Sequence, residues 1–168
     1  MPKRARAKPE YLRRDEFEAW QGILVSATRV LRALDEGLRA DHGISVAEFD
    51  VLITLANAPN RRLRMSELAR SVALSPAGLT HLVTRLERER LVAREVDSHD
   101  RRGFHTVLTD AGEERLDASR PLHNRIVRDL LLDRMTAGDR RQLGAIWKRV
   151  EASADRSGRQ SGSGTPSA

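Results

Sequence analysis

The chain has 168 residues, with 30 Lys or Arg against 24 Asp or Glu and a net charge of +6. That length allows one domain with a sizeable core and leaves no room for two full-sized ones. Cysteine is absent, which excludes disulfides, thiolate catalysis, cysteine-based zinc sites and cysteine redox sensing, and no apolar run approaches the roughly 18 residues of a membrane span.

All the cations except Lys3, Lys8 and Lys148 are arginine, whose planar fork suits phosphates and guanine edges, so an anionic polymer is an expected partner. The charge is unevenly laid: net +5 over residues 1–14, −5 over 15–60 and +4 over 61–105, where every cation is Arg. A solvated basic face would give the same layout as a docking surface. Residues 1–14 read as a disordered basic arm. With no apolar segment behind it, the arm does not read as a secretory signal, and a cytoplasmic protein with no membrane partner is expected.

From Asp15 to Ala40, Phe17, Trp20, Leu24, Leu31, Leu34 and Leu38 recur at helical spacing, which predicts one long amphipathic helix closed by Asp41-His42-Gly43. Ser45 caps a second helix, with Glu48 at the capping-box position and Phe49, Leu52, Ile53 and Ala56 facing inward. An extended piece, Leu63-Arg64-Met65, leads to Ser66, expected to cap a short helix Glu67–Val72 that buries Leu68, Ala69 and Val72.

Ser75-Pro76 is a strong start signal, an N-cap followed by proline at the first helical position. Leu79, Leu82, Val83 and Leu86 fall on one side of the helix that follows. Ala77, His81, Thr84 and Arg88 fall on the other, with Thr80 and Arg85 on the flanks. Small residues allow close backbone approach, Thr and His address base edges, and Arg holds phosphates, so this side suits a groove. An ordinary solvated helix would carry Glu/Lys pairs there instead.

After Leu91 the period changes, and Val92–Val96 and Phe104–Leu108 read as paired strands around the polar loop Asp97–Gly103. Arg102, near the tip, could enter a narrow minor groove with Asp100 orienting it and Arg101 beside it; a solvent-exposed turn would have the same composition. Thr109 caps the next helix, expected to kink at Pro121. Thr136 with Asp139 opens the last one, whose apolar side is Leu143, Ile146, Trp147 and Val150. Residues 155–168 read as a disordered Ser/Gly-rich tail.

The predicted fold is therefore mainly α with a small β-hairpin: a winged helix-turn-helix flanked by N- and C-terminal dimerisation helices. It spans residues 15–154, with a DNA-binding lobe at about 45–108. The terminal helices carry apolar stripes that a compact winged domain cannot cover, and a two-fold homodimer would cover them. Its two groove helices would then address half-sites about 34 Å apart.

Together these segments resemble the MarR family of bacterial transcriptional regulators over about residues 15–154. The matching motifs are Phe49-Asp50-Val51-Leu52, Met65-Ser66-Glu67-Leu68-Ala69, Leu74-Ser75-Pro76-Ala77-Gly78-Leu79-Thr80, Val83-Thr84-Arg85-Leu86-Glu87, Asp100-Arg101-Arg102-Gly103 and Leu108-Thr109-Asp110-Ala111-Gly112. Each is weak alone, and their order and spacing carry the match. The resemblance implies a homodimeric repressor that binds a palindromic operator in double-stranded DNA and is released by a small anionic aromatic effector. Trp20, Asp50 and Arg85 are the candidate effector contacts, set against a core role for Trp20 and a capping or pairing role for Asp50. Family members often carry Arg after the recognition-helix Thr. Here that residue is His81, which when neutral cannot make a bidentate guanine contact.

The DNA-binding set is thus Ser66, Ser75, Ala77, Thr80, His81, Thr84, Arg85, Arg88, Asp100, Arg101 and Arg102. No cofactor or metal is expected. Asp97, His99, Asp100 and His105 match no closed zinc spacing, and His42 and His123 stand alone. Ser, His and Asp fall mainly in cap and turn positions, so no enzyme is expected. The alternatives are a non-specific architectural nucleic-acid binder and a winged-helix protein-interaction module.

Overall fold

A computed structural model describes residues 11–72, 74–96 and 104–160, with side chains described to residue 153. The chain forms two compact units that divide after Ile126.

In the first unit, α1 (Arg14–His42) is slightly longer than its apolar stripe predicts. It stops where Gly43 adopts φ 67°, a left-handed conformation that glycine enters without a Cβ clash, and the Gly43 N–H returns to the Arg39 and Leu38 carbonyls. Ser45 opens α2 (Val46–Ala56) as expected: its Oγ accepts from the Glu48 N–H at 3.2 Å, and Glu48 Oε2 accepts from the Ser45 N–H at 2.6 Å. The Asp35 carboxylate of α1 accepts from the Val46 N–H at 3.0 Å and so ties the two helices at this corner.

Asn60 and Arg61 both take φ 53° in the turn after α2. The chain then enters β1 (Arg62–Arg64), β2 (Val92–Val96) and β3 (Phe104–Leu108), an antiparallel sheet in the order β1-β3-β2. The hairpin strands match the predicted bounds, and the extended piece expected at Leu63–Met65 lies one residue earlier, at Arg62–Arg64, where it adds a third strand through Arg62↔Val107 and Arg64↔His105 while Met65 opens the next helix. That pairing also corrects the next helix start. α3 (Met65–Ser71) begins directly after β1, with the Arg64 N–H donating to Glu67 Oε2 at 2.9 Å, so Ser66 lies inside the first turn and is not the cap.

α4 (Pro76–Arg88) is capped by Ser75, whose Oγ accepts from the Gly78 N–H. α5 (Asp110–Leu130) continues as one helix through Pro121. At its start the Thr109 hydroxyl accepts from the Gly112 N–H at 3.0 Å and donates to the Arg90 carbonyl at 2.7 Å. Phe49, Leu52 and Leu55 of α2, Leu68 of α3, Leu79, Val83 and Leu86 of α4, Val92 and Leu108 of the sheet and Leu116 of α5 are all buried in one core. Each such side chain contributes about 1.5–3 kcal/mol by leaving water, so the α4 face that carries three of them is strongly fixed.

In the second unit, a short 3-10 turn (Leu132–Arg134) precedes α6 (Ala137–Gln160). Thr136 and Asp139 cap each other reciprocally, as predicted. The helix continues past residue 154 to Gln160, into the tail expected to be disordered. Ile146, Trp147 and Val150 on its apolar side are exposed. Among the described residues, no helix is long and apolar enough to cross a membrane.

Candidate nucleic-acid interface

Because Leu79, Val83 and Leu86 anchor α4 in the core, the helix can turn only one side outward. On that side Ala77, Thr80, His81, Thr84 and Arg88 are exposed, and Arg88 has no ion pair among the described residues. Ser75 is exposed at the helix mouth. The Thr80 hydroxyl donates to the Pro76 carbonyl at 2.9 Å, which leaves its lone pairs and methyl facing solvent. Gly78, His81, Leu82, Thr84, Arg85 and Arg88 line an open hollow along this surface.

Arg85 is arranged differently. Its Nη2 lies 2.5 Å from Glu48 Oε1, and the Glu48 side chain is only 4% exposed. The other Glu48 oxygen accepts from the Ser45 N–H and hydroxyl at 2.6 and 2.7 Å. The Arg85 Nε is buried without a hydrogen-bond partner among the described residues. The guanidinium expected at a phosphate is therefore committed to the N-terminus of α2, and it sets the seat of α4.

Arg94 is a further basic residue at this surface. Its Nη2 donates to Thr84 Oγ1 at 2.9 Å and its Nε lies 3.3 Å from Glu87 Oε2, so a cation from β2 stands beside the outward side of α4. The available signal was strand alternation, which puts Arg94 on the same face as Val92, a buried position. Ser66 is exposed in the first turn of α3. Asp100, Arg101 and Arg102 lie outside the described residues.

Among the described residues no hydrogen bond, ion pair or ring contact joins Trp20, Asp50 and Arg85 to one another. Trp20 is 51% exposed on α1, so it is not a core residue. Asp50 is partly buried on α2, and no hydrogen bond or ion pair reaches it among the described residues. Burial pushes its carboxyl above the usual carboxylate range, partly offset by nearby His123. His123 is not isolated: its ring stacks on Phe49 with centroids 4.3 Å apart. Arg85 pairs with Glu48 and not with Asp50. Among the described residues no group of three His, Asp or Glu side chains could hold a metal ion.

The sequence model of the MarR family matches residues 42–103. Sco3205 of Streptomyces coelicolor, a MarR family transcriptional regulator solved in complex with DNA, aligns with a TM-score of 0.79 at 36% identity, covering 87% of this chain and 91% of that one. The uncharacterized HTH-type transcriptional regulator YkoM of Bacillus subtilis (strain 168) is 32% identical over 83 residues, 49% of this chain and 53% of that protein. YetL of the same strain, an HTH-type transcriptional repressor, is 33% identical over 84 residues, 50% of each chain. The chain thus spans about half the length of these two curated relatives. With the core, the sheet and the outward side of α4 arranged as described, and with Sco3205 similar over nearly its whole length, the chain belongs to the MarR family of transcriptional regulators.

Proposed function

We propose that the protein is a homodimeric repressor that binds a palindromic operator in double-stranded DNA through α4 and the β2–β3 wing, and that a small anionic aromatic effector releases it. The observation that carries this reading is the division of α4. Three apolar anchors fix one side in the core, and the opposite side offers Ala77, His81, Thr84 and Arg88 to a groove. The DNA complex of Sco3205 and the repressor name of YetL support the same reading. In this assignment Ser75, Ala77, Thr80, His81 and Thr84 face bases, Arg88 and Ser66 hold phosphates, and Arg102 enters the minor groove with Asp100 and Arg101 beside it.

The effector arm is supported by Trp20, an exposed aromatic surface on α1, and Asp50, a partly buried carboxyl on α2.

Selection of duplexes from a random library, followed by competition with random DNA, tests the reading. The selected site should bind at least about 10³ more tightly than random duplex. A ratio near one identifies an architectural binder, and no shift of any duplex at low salt identifies a protein-interaction module.

A further inference from the structure

Alternate residues of a strand share a face. On the β2 face that begins at Val92, the cross-strand pairs are Val92↔Leu108, Arg94↔Thr106 and Val96↔Phe104. Val92, Leu108 and Thr106 are buried, whereas Val96 is 59% and Phe104 48% exposed. Arg94 stands where the buried root gives way to an uncovered apolar pair. Its hydrogen bond to Thr84 and ion pair with Glu87 bring the second half of α4 against this face. Only one of its five N–H groups donates a hydrogen bond among the described residues, to Thr84, while Glu87 lies within ion-pair distance.

A helix seated in a major groove and a hairpin reaching the next minor groove leave one phosphodiester strand running between them. Between α4 and the wing lie a cation and, one step outward, two uncovered hydrophobic side chains. A nucleic-acid backbone has the matching chemistry, with anionic phosphates alternating with apolar sugar faces.

We propose that Arg94 grips a phosphate of that intervening strand, that Val96 and Phe104 pack on the adjoining deoxyribose, and that Glu87 orients Arg94 while repelling the same phosphate. This rests on α4 being the groove helix. It adds a backbone clamp at the seam to the base-reading and wing-tip residues assigned above.

The test measures affinity and its salt dependence for the full chain on a fluorescein-labelled duplex carrying the wild-type selected site. Arg94→Gln should weaken binding by about tenfold and lower the slope of log K against log salt by about one, and Arg94→Lys should keep the slope. Phe104→Ser should weaken binding without changing the slope. Glu87→Gln is the decisive variant. A clamp predicts tighter binding, because the anion beside the phosphate is gone. An Arg94 that merely braces the hairpin predicts weaker or unchanged binding, because the brace has lost its carboxylate. Glu87→Gln failing to tighten binding, or Arg94→Gln leaving the slope unaltered with an unchanged melting temperature, overturns the clamp while the groove reading stands. Wild-type protein that shifts no duplex at low salt overturns both.

Discussion

Gly112 shows how much one absent methyl group can decide. A Cβ built there would lie 2.1 Å from the Leu91 carbonyl oxygen and 2.8 Å from Leu108 Cδ1. In an exposed helix interior, Gly→Ala stabilises by about 1 kcal/mol. Here the added carbon meets backbone, and Gly112→Ala should instead lower stability by about 3 kcal/mol, read as a lower urea midpoint at constant slope. Asp50 gives a prediction in pH. Burial raises its folded pKa above the unfolded value, so between the two the folded state binds more protons than the unfolded one. The Asp50 contribution is therefore full below the unfolded value near 3.8 and is lost as pH rises through the folded value. Asp50→Asn should stabilise the protein at neutral pH and flatten that part of the stability profile, as followed by thermal melts across the acidic range. At base-reading positions, His81→Ala should change the sequence recovered by selection, and recovery of the same motif would show that His81 reads no base.

At the scale of elements, the link between α2 and α4 runs through one carboxylate. Glu48 caps α2 through Ser45 and seats α4 through Arg85. Glu48→Ala should lower stability by about 2 kcal/mol, less than a fully buried pair would lose because the Arg85 side chain is 39% exposed and regains water. Glu48→Gln should keep most of the cap and reduce operator affinity more than random-duplex affinity. The local signals behind these elements were legible in the sequence: Ser45 with Glu48, Ser75-Pro76 and Thr136 with Asp139 are all capping chemistry within four residues. The extended backbone of β1 was legible but its place in the sheet was not, because three residues become a strand only by pairing with a partner more than 40 positions away, as Arg62 does with Val107. The same pairing misled the cap assignment, since Ser66 has the right chemistry but the sheet fixes the helix start at Arg64. The inward turn of Arg85 was equally invisible, and for Arg94 strand alternation gave its face but not its arrival beside Thr84. Both depend on contacts between elements that periodicity cannot supply.

For the whole molecule, the apolar stripes of the terminal helices were readable, and their exposure in a single chain follows the reading. Phe17, Trp20, Leu24 and Leu31 on α1 and Ile146, Trp147 and Val150 on α6 are all exposed. So much uncovered apolar surface is expected to be buried against a second copy. Sedimentation should give a dimer, the melting temperature should rise with protein concentration, and Trp20→Glu should shift the equilibrium to monomer. A melting temperature independent of concentration, with a monomeric mass, would refute the dimer. The arginine-rich middle of the chain also implies that operator binding weakens steeply with salt.

The close approach at Gly112 has a mechanical consequence. Leu91 immediately precedes β2, and its carbonyl accepts from the Thr109 N–H at 3.2 Å. Thr109 also donates to Arg90, so the root of the hairpin and the first turn of α5 touch backbone to backbone with no side chain to cushion them. Their relative position leaves no room for a side chain between them. A displacement of the first turn of α5 is thus passed directly to the root of the hairpin.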